Sequence, residues 1–437
     1  MSDIKFFAVA GNPILHSRSP DMFRAAFKAS SMKGIYLRFA SSDAGDIARM
    51  VRNREVHGFN ITSPYKEKIL PFLDNIDEAA CKSGAVNTVI LRKGKLTGFN
   101  TDIDGVREAL LRHGVEIRGK KALILGAGGA AKAAAYAVIS EGGEVTLVNR
   151  TIEKAQNIAR TFSCKALPAE AIPKEMGSVD ILISCISEGK PVIPPHCLVK
   201  DLVVLDAYYK EETPLVREAK AKRCTVIDGR DWLLFQGARA FSHFTGSEPP
   251  LAAMRRALYA DRTYTKKNIA LIGFMGTGKS TVSRYLAESL RMTSIDIDCE
   301  IERKNGSSIT DIFKNLGEDS FRRMEEHEID ALAGLSGRII SCGGGAVLNK
   351  ASMDRLRQNA TVIWLNAGVE TILQRIGNDR SRPLLNVQDR RSEIEMLLRL
   401  RTDHYALASD LVINTDEKEP GEIAKRIYDE INTSLER

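Results

Sequence analysis

The sequence has no C-x-x-C pair, no dense run of Lys or Arg, few aromatics and no unbroken apolar span. Each absence removes a class of function. Its seven cysteines, at 81, 164, 185, 197, 224, 299 and 342, are odd in number and scattered. That pattern excludes a disulfide framework or a cysteine zinc site and points to a reducing, cytoplasmic compartment. Aromatics make up 6% of the chain and the formal charge of +7 is dispersed, which leaves no stacking, basic surface for nucleic acid. A mild positive excess suits small anionic ligands instead. The richest apolar stretch, Ala122 to Val138, is interrupted by Gly126, Gly128, Gly129 and Lys132, so no membrane span is expected. The opening MSDIKFFAVAGNP reads as a strand and turn rather than a signal peptide.

What the chain does contain is a succession of strand–turn–helix joints. At 437 residues it is too long for one ordinary core, so two or three domains are expected. Late in the chain the apolar run Ile269–Ile272 leads into Gly273-Phe-Met-Gly-Thr-Gly278-Lys279-Ser280. This is the G-x-x-x-x-G-K-[ST] phosphate-cradling loop between a strand and a helix. Gly276, Thr277, Gly278 and Thr281 would line the phosphates with backbone, Lys279 would reach the β/γ-phosphates, and Ser280 would ligate Mg²⁺. The polar segment before it, Asp261–Lys267, has no Gly, Pro or Ser and reads as a short, stiff linker.

The front of the chain carries polar residues at strand ends, where ligands bind in α/β sheets. A strand over residues 5–10 runs into Gly11-Asn-Pro-Ile-Leu-His-Ser17-Arg-Ser19-Pro20, with a helix expected over 21–29. Ser17 and Ser19 are either helix-capping hydroxyls or site hydroxyls. Gly58-Phe-Asn-Ile-Thr62-Ser-Pro-Tyr-Lys66 is a strand into a turn, with Lys66 expected to open a helix. A lone lysine there is more often a solvated surface residue. A hairpin over 89–98 follows Asn87 and ends in Phe99-Asn-Thr-Asp102-Ile-Asp-Gly105.

Lys121–Leu125, Gly126-Ala127-Gly128-Gly129-Ala130 and an alanine-rich helix to about residue 140 form a dinucleotide-binding turn. The next strand ends in Asn149-Arg150-Thr151, with Lys154 a turn later. An NAD site would place an acidic residue here; a guanidinium suits the 2′-phosphate of NADP. In the back third, Ser294-Ile-Asp296-Ile-Asp298 is expected as a strand with both carboxylates on one face, capping being the plainer alternative. Ile339–Cys342 runs into Gly343-Gly344-Gly345, and Arg380–Leu385 has the composition of a mobile lid.

GNPILHSRSP, GFNITSPYK, GAVNT and FNTDIDG, in that order, resemble shikimate dehydrogenase over residues 5 to about 258. The resemblance implies that Lys66 and Asp102 are the catalytic pair and that Ser17, Ser19, Thr62, Asn87 and Asp102 hold the substrate. Gln236 would reach the substrate and Tyr209 would lie near it. The segment Asn149–Ala155 also matches the family, with Asn149, Arg150, Thr151 and Lys154 beside NADP(H). Two departures stand out: Ser184–Lys190, and Asp231-Trp232 where the family has Gly-Met. They place a carboxylate close to the expected nicotinamide position.

GFMGTGKST, DID, FRRMEE, SCGGG, RPLL and Arg401 make residues from about 267 onward similar to shikimate kinase. By that resemblance, Asp296 serves the Mg²⁺ site with Ser280, and Asp298 holds and polarises the attacking hydroxyl. Arg322 and Arg401 would clamp a carboxylate and Gly343–Gly345 cradle the ring. Arg382 would close over the transferring phosphoryl group, and Arg375 would lie near adenine. The implied fold is α/β throughout: a substrate domain over 1–105 with closing helices at 238–260, a Rossmann NADP domain over 106–237, and a P-loop kinase domain over 268–437. The expected activity is bifunctional, with NADP(H), ATP and Mg²⁺, small-molecule substrates, and no nucleic-acid or membrane partner. A homo-oligomer is left open. So are three other readings: a degenerate regulatory front half, an NAD-dependent quinate-type front half, and a back third acting on another sugar or nucleotide.

Overall fold

The structure, a computed structural model, describes residues 4–52, 56–186, 193–261, 266–377, 385 and 387–435. Its strands in chain order begin with β1 Lys5–Gly11, β2 Gly34–Ala40, β3 Gly58–Ile61, β4 Asn75–Ile76, β5 Thr88–Arg92 and β6 Lys95–Phe99. Then come β7 Lys121–Leu125, β8 Glu144–Val148, β9 Lys165–Leu167, β10 Ile181–Ser184, β11 Val203–Asp206 and β12 Thr225–Ile227. The last five are β13 Asn268–Ile272, β14 Thr293–Asp296, β15 Arg338–Ser341, β16 Ala360–Asn366 and β17 Leu411–Asn414.

Two compact units result. One comprises Met1–Ser17, Ile35–Ser42 and Asp261–Arg437; the other comprises Arg18–Gly34 and Asp43–Ala260. The sequence groups residues 1–105 together, yet the first two strands cluster with the last third of the chain. The reason is a strand pairing: β2 lies beside β17 in parallel, with Phe39 opposite Val412.

In the second unit, β12-β11-β10-β7-β8-β9 form a wholly parallel sheet. The order reverses between β7 and β10, which opens a crevice at their carboxyl ends. The helix Gly129–Ser140 packs on this sheet through Ala131, Ala133, Ala134, Ala135 and Ala137, all fully buried. Alanine has little bulk, so the helix sits close to β7 and its N-terminus stays near the strand end. The strands β3, β5, β6 and β4 neighbour one another in that order and carry the 89–98 hairpin. The helices Asp102–Arg112 and Gly229–Thr245 cross tightly. A Cβ on Gly105 would stand 2.6 Å from Trp232 Cδ1, so even alanine there would overlap the ring.

In the first unit the parallel strands β14-β15-β13-β16-β17 place β13 at the centre, with the phosphate-loop helix Lys279–Leu290 following it. β2 and β1 continue the order beyond β17. Residues 262–265 of the expected linker lie outside the described residues, but Lys266 and Lys267 are firmly held. The Lys267 N–H donates to Asn359 O at 3.0 Å, and Lys266 Nζ meets Asp410 Oδ2 at 2.5 Å.

Local differences from the sequence expectation have local causes. The first helix starts at Ser19, because Pro20 suits its opening turn. No α-helix opens at Lys66; the chain passes through turns to a short 3₁₀ segment at Leu70–Phe72. Asp298 is not on a strand. β14 ends at Asp296, whose carboxylate caps the helix Ile297–Asn305 by accepting from the N–H groups of Asp298 and Cys299. The expected lid, Arg380–Leu384 with Arg382, and residues 187–190 lie outside the described residues. Among the described residues no helix is long and apolar enough to cross a membrane.

Burial pushes the Asp410 carboxyl up, but the Lys266 ammonium and the Val362 N–H outweigh that and hold it below its ordinary value. A depressed folded pKa contributes stability that is present above the unfolded value and lost as pH falls through the folded one. Asp410→Asn should therefore cost about 3 kcal/mol at neutral pH by stranding a buried ammonium. In urea unfolding the gap between variant and wild type should narrow below about pH 4.

Candidate functional site

Three clusters of expected residues converge at strand ends. In the second unit, Lys66 Nζ lies 2.5 Å from Asp102 Oδ2, and both side chains are largely buried. Asp102 begins the helix Asp102–Arg112, where a carboxylate also favours the helix N-terminus. Asn87, just before β5, is the hub behind this pair. Its Oδ1 accepts from the Thr101 N–H at 2.8 Å and its Nδ2 donates to Gln236 Oε1 at 3.1 Å. Thr88 Oγ1 receives Asn60 Nδ2 and donates to Asn87 Oδ1. Thr101, Thr88 and Asn60 thus fix the amide's orientation, a role that their sequence context does not signal. Thr62 sits half-buried after β3, with its carbonyl accepting from Tyr65 N–H. Ser19 is buried at the first helix, Ser17 is buried in the other unit, and Tyr209 follows β11, half-buried.

The dinucleotide turn adjoins the lysine. A Cβ on Gly129 would stand 3.2 Å from Lys66 Cδ and would press the lysine stem aside by a few tenths of an ångström. Lys132 Nζ pairs with Glu67 Oε2 at 2.9 Å and ties the Rossmann helix to the Lys66 segment. At Gly126, with φ +115°, a Cβ would stand 3.1 Å from Cys185 O just after β10, so glycine keeps this approach unstrained. Burial pushes the Cys185 thiol well above its usual range, with Asp206 and Asp102 adding to the shift, which leaves it an inert neutral group. A Cβ at Gly128 would meet nothing, so the space beside Gly128 in the turn is open. At the end of β8, Arg150, Thr151 and Lys154 are exposed, and Asn149 Nδ2 donates to Thr151 O at 2.9 Å. The open turn at a helix N-terminus with these cations beside it fits a phosphorylated dinucleotide.

In the first unit, two of three successive glycines, Gly343 and Gly345, make room for charged groups. A Cβ on Gly343 would overlap Glu325 Oε1 and stand 2.9 Å from Asp298 Oδ1. One on Gly345 would overlap the Arg322 guanidinium, and Gly344 O accepts from Arg401 Nη1 at 3.3 Å and from the Tyr405 hydroxyl. Arg322 also pairs with Glu325 at 2.8 Å and Glu318 at 2.9 Å. Glu325 Oε1 is buried with no hydrogen-bond partner among the described residues. Burial raises its pKa, against the Arg322 guanidinium. An acceptor so placed fits an incoming hydroxyl. Glu325 and Tyr405 were not singled out in the sequence, though each stands one helical turn from an expected arginine: Arg322 at i−3 and Arg401 at i−4.

The phosphate loop lies beside this cluster. Gly276 and Gly278 have φ of +82° and +92°, Thr277 Oγ1 donates to Phe274 O, and Lys279 Nζ donates to Gly273 O and Phe274 O at 3.0 Å. Ser280 is exposed, with its hydroxyl 2.5 Å from Asp296 Oδ2, and Thr281 follows in the same turn. No group of three metal-ligating side chains exists among the described residues. Mg²⁺ in such sites keeps waters and phosphate oxygens, so one hydroxyl and a nearby carboxylate fit it. Arg375 holds the segment after β17 by donating to Thr415 Oγ1 at 3.0 Å and Thr415 O at 2.6 Å.

Four family models match the chain. The model described as shikimate dehydrogenase substrate binding domain matches residues 9–89, shikimate / quinate 5-dehydrogenase matches 108–203, and shikimate 5′-dehydrogenase C-terminal domain matches 231–259. Shikimate kinase matches 275–432. A shikimate dehydrogenase (NADP(+)) of Pyrococcus furiosus is 40% identical over 264 residues, spanning 59% of this chain and 96% of that protein. The chain belongs to the shikimate dehydrogenase family and carries a shikimate kinase domain on the same polypeptide. The dehydrogenase part resembles the Thermus thermophilus shikimate 5-dehydrogenase solved with NADP(H) and shikimate. They share 36% identity and a TM-score of 0.54, over 58% of this chain and 98% of that one. The quinate dehydrogenase of Corynebacterium glutamicum, solved with NAD, is 28% identical with TM-score 0.55, over 59% and 99%. The chain is thus a bifunctional shikimate-pathway enzyme that uses NADP(H) in one part and ATP in the other.

In the dehydrogenase part, the Asp231 carboxylate of the second departure has partners of its own. It is buried and engaged by Arg255 Nη1 at 2.7 Å, Tyr259 Oη at 3.0 Å and His113 Nε2 at 3.4 Å. It braces the helix Leu251–Tyr259 against Gly229–Thr245. Asp231→Asn should lower stability by about 2 kcal/mol in urea unfolding. The KM for NADPH should stay within about twofold of wild type, since the lost contacts lie away from the turn.

Proposed function

We propose that the chain reduces 3-dehydroshikimate to shikimate with NADPH and then phosphorylates shikimate at its 3-hydroxyl with ATP. The observation that carries this reading is the Lys66–Asp102 pair beside the dinucleotide turn, in a chain that also holds Asp298, Arg322 and Arg401 around three glycines beside a phosphate loop. One constellation suits making a ring hydroxyl, the other suits consuming it. The functional division would be 1–105 with 238–260 for substrate, 106–237 for NADP(H) and 268–437 for the kinase, with 261–267 between.

Bound NADPH supplies the hydride and MgATP the phosphoryl group. Reducing a ketone leaves an alkoxide that needs a proton, and Lys66 Nζ holds that proton as a positioned ammonium. Asp102 orients the ammonium and accepts from a neighbouring substrate hydroxyl. Ser17, Ser19, Thr62, Asn87, Gln236 and Tyr209 supply the remaining polar contacts. Gly126, Ala127, Gly128, Gly129 and Ala130 take the pyrophosphate, and Asn149, Arg150, Thr151 and Lys154 take the 2′-phosphate. Arg150 has no ionic partner among the described residues, so it meets that phosphate without first breaking a pair.

In the kinase part, Asp298 accepts from the attacking hydroxyl and sharpens its nucleophilicity. Arg322 and Arg401 hold the substrate carboxylate, each through a planar fork of donors. Gly343, Gly344 and Gly345 let the ring approach backbone. Gly276, Thr277, Gly278, Lys279, Ser280 and Thr281 cradle phosphate oxygens, Ser280 and Asp296 serve Mg²⁺, Arg375 borders the base, and Arg382 neutralises charge on the transferring group. Phosphoryl transfer needs positioning and charge neutralisation more than covalent help.

The deciding experiment supplies 3-dehydroshikimate, NADPH and MgATP to the intact chain and follows both cofactors. Equal consumption of the two is expected; NADPH oxidation without ATP use, or the reverse, would refute the paired reading. Lys66→Ala should cut the reduction by about 10²–10⁴-fold and leave phosphorylation of added shikimate intact. Lys279→Ala should do the opposite, measured by ADP release.

A further inference from the structure

The helix Pro420–Leu435 closes the kinase part and packs on the phosphate-loop helix, with Ile423, Ile427 and Ile431 on its inner face. At helical spacing in that same apolar stripe stands a carboxylate, Glu430, with no exposed surface. A fully buried carboxylate is costly unless donors reach it. The donors here come from the far end of the chain. Glu430 Oε2 accepts from the Ile14 and Leu15 N–H groups, both at 2.8 Å, and Oε1 accepts from Ile14 at 3.0 Å.

The segment so held is the turn after β1 that ends at Ser17. Ser17 N–H closes onto Ile14 O at 2.9 Å. Its carbonyl accepts from buried Arg38 at 2.6 and 3.0 Å, and Arg38 in turn reaches Asp410 O at 3.4 Å. Arg426, one turn before Glu430, donates to Ser41 O at 2.5 Å. Nothing in the kinase chemistry calls for this carboxylate, whose oxygens accept from backbone of the dehydrogenase sequence. Three backbone groups of residues 14–17 are therefore fixed by side chains, and the most buried of those side chains belongs to the kinase sequence.

We propose that Glu430 is a positioning residue for the dehydrogenase reaction: it holds the turn that presents Ser17. The proposal rests on Ser17 binding the dehydrogenase substrate. The test uses the full chain with Glu430→Met, which keeps length and helix propensity but removes both acceptors, and Glu430→Gln, which keeps one. Glu430→Met should raise the KM for 3-dehydroshikimate about tenfold with kcat changed far less. Glu430→Gln should fall between it and wild type, and the constants for shikimate and ATP should not move. A dehydrogenase KM within twofold of wild type in Glu430→Met would overturn the proposal, as would parallel loss of both activities, which marks a merely structural residue. If the wild-type chain oxidises no NADPH, the functional reading fails separately. Amide exchange at Ile14 and Leu15 then decides the contact: faster exchange in Glu430→Met supports it, and unchanged exchange removes it.

Discussion

Backbone has to come within hydrogen-bonding reach of an anionic ligand at the carboxyl end of a parallel strand, and a side chain on the turn would block it. Both nucleotide sites depend on that constraint. At β7 the turn passes Cys185 through Gly126 and runs along the Lys66 stem at Gly129. At β13 the loop takes positive φ at Gly276 and Gly278 before the helix begins. After β15, Gly343 and Gly345 apply the same device to side chains: their missing Cβ atoms leave the space in which Asp298, Glu325 and the Arg322 guanidinium sit. Parallel strands gather these turns on one edge, which is why residues far apart in the chain meet there.

The charges placed at those edges are held by opposite charges rather than left isolated. Lys66 has Asp102, Arg322 has Glu325, and Asp231 has Arg255 with Tyr259. A buried pair adds little net stability, but removing one member is expensive, so such pairs act mainly to set geometry. The difference in role lies in what remains open. Asp231 is surrounded by donors from neighbouring helices and is structural. Glu325 keeps one buried oxygen without a donor among the described residues, beside Gly343.

The pairing of β2 with β17 has a wider consequence. It brings the first strands of the dehydrogenase sequence into the unit formed by the kinase sequence. Strand edges carry unpaired N–H and C=O groups that favour any compatible neighbour. Here the neighbour is another part of the same chain. Arg38, Asp410, Arg426 and Glu430 then add side-chain bonds across that seam. Two activities that share a polypeptide therefore also share hydrogen bonds.

Much of this was legible in the order of residues. Strand ends, the glycine turns and the helix at Lys279 follow from short-range chemistry: where φ must be positive, where Pro fits, where a cap is available. Roles for Lys66, Asp102, Asp298, Arg322 and Arg401 come instead from resemblance to two families. Short-range reasoning also has its misses: alternation alone puts Asp298 on a strand, against the cap that Asp296 supplies, and puts a helix at Lys66 where turns continue. Long-range partnership was not legible. No spacing announces that Glu430 meets Ile14, that Asp231 is taken by Arg255 and Tyr259, or that β2 joins β17. A strand edge or an apolar helix face specifies the kind of surface it needs, not which distant segment provides it. Packing of the whole chain makes that choice, by burying apolar area while leaving each buried charge and amide with a partner.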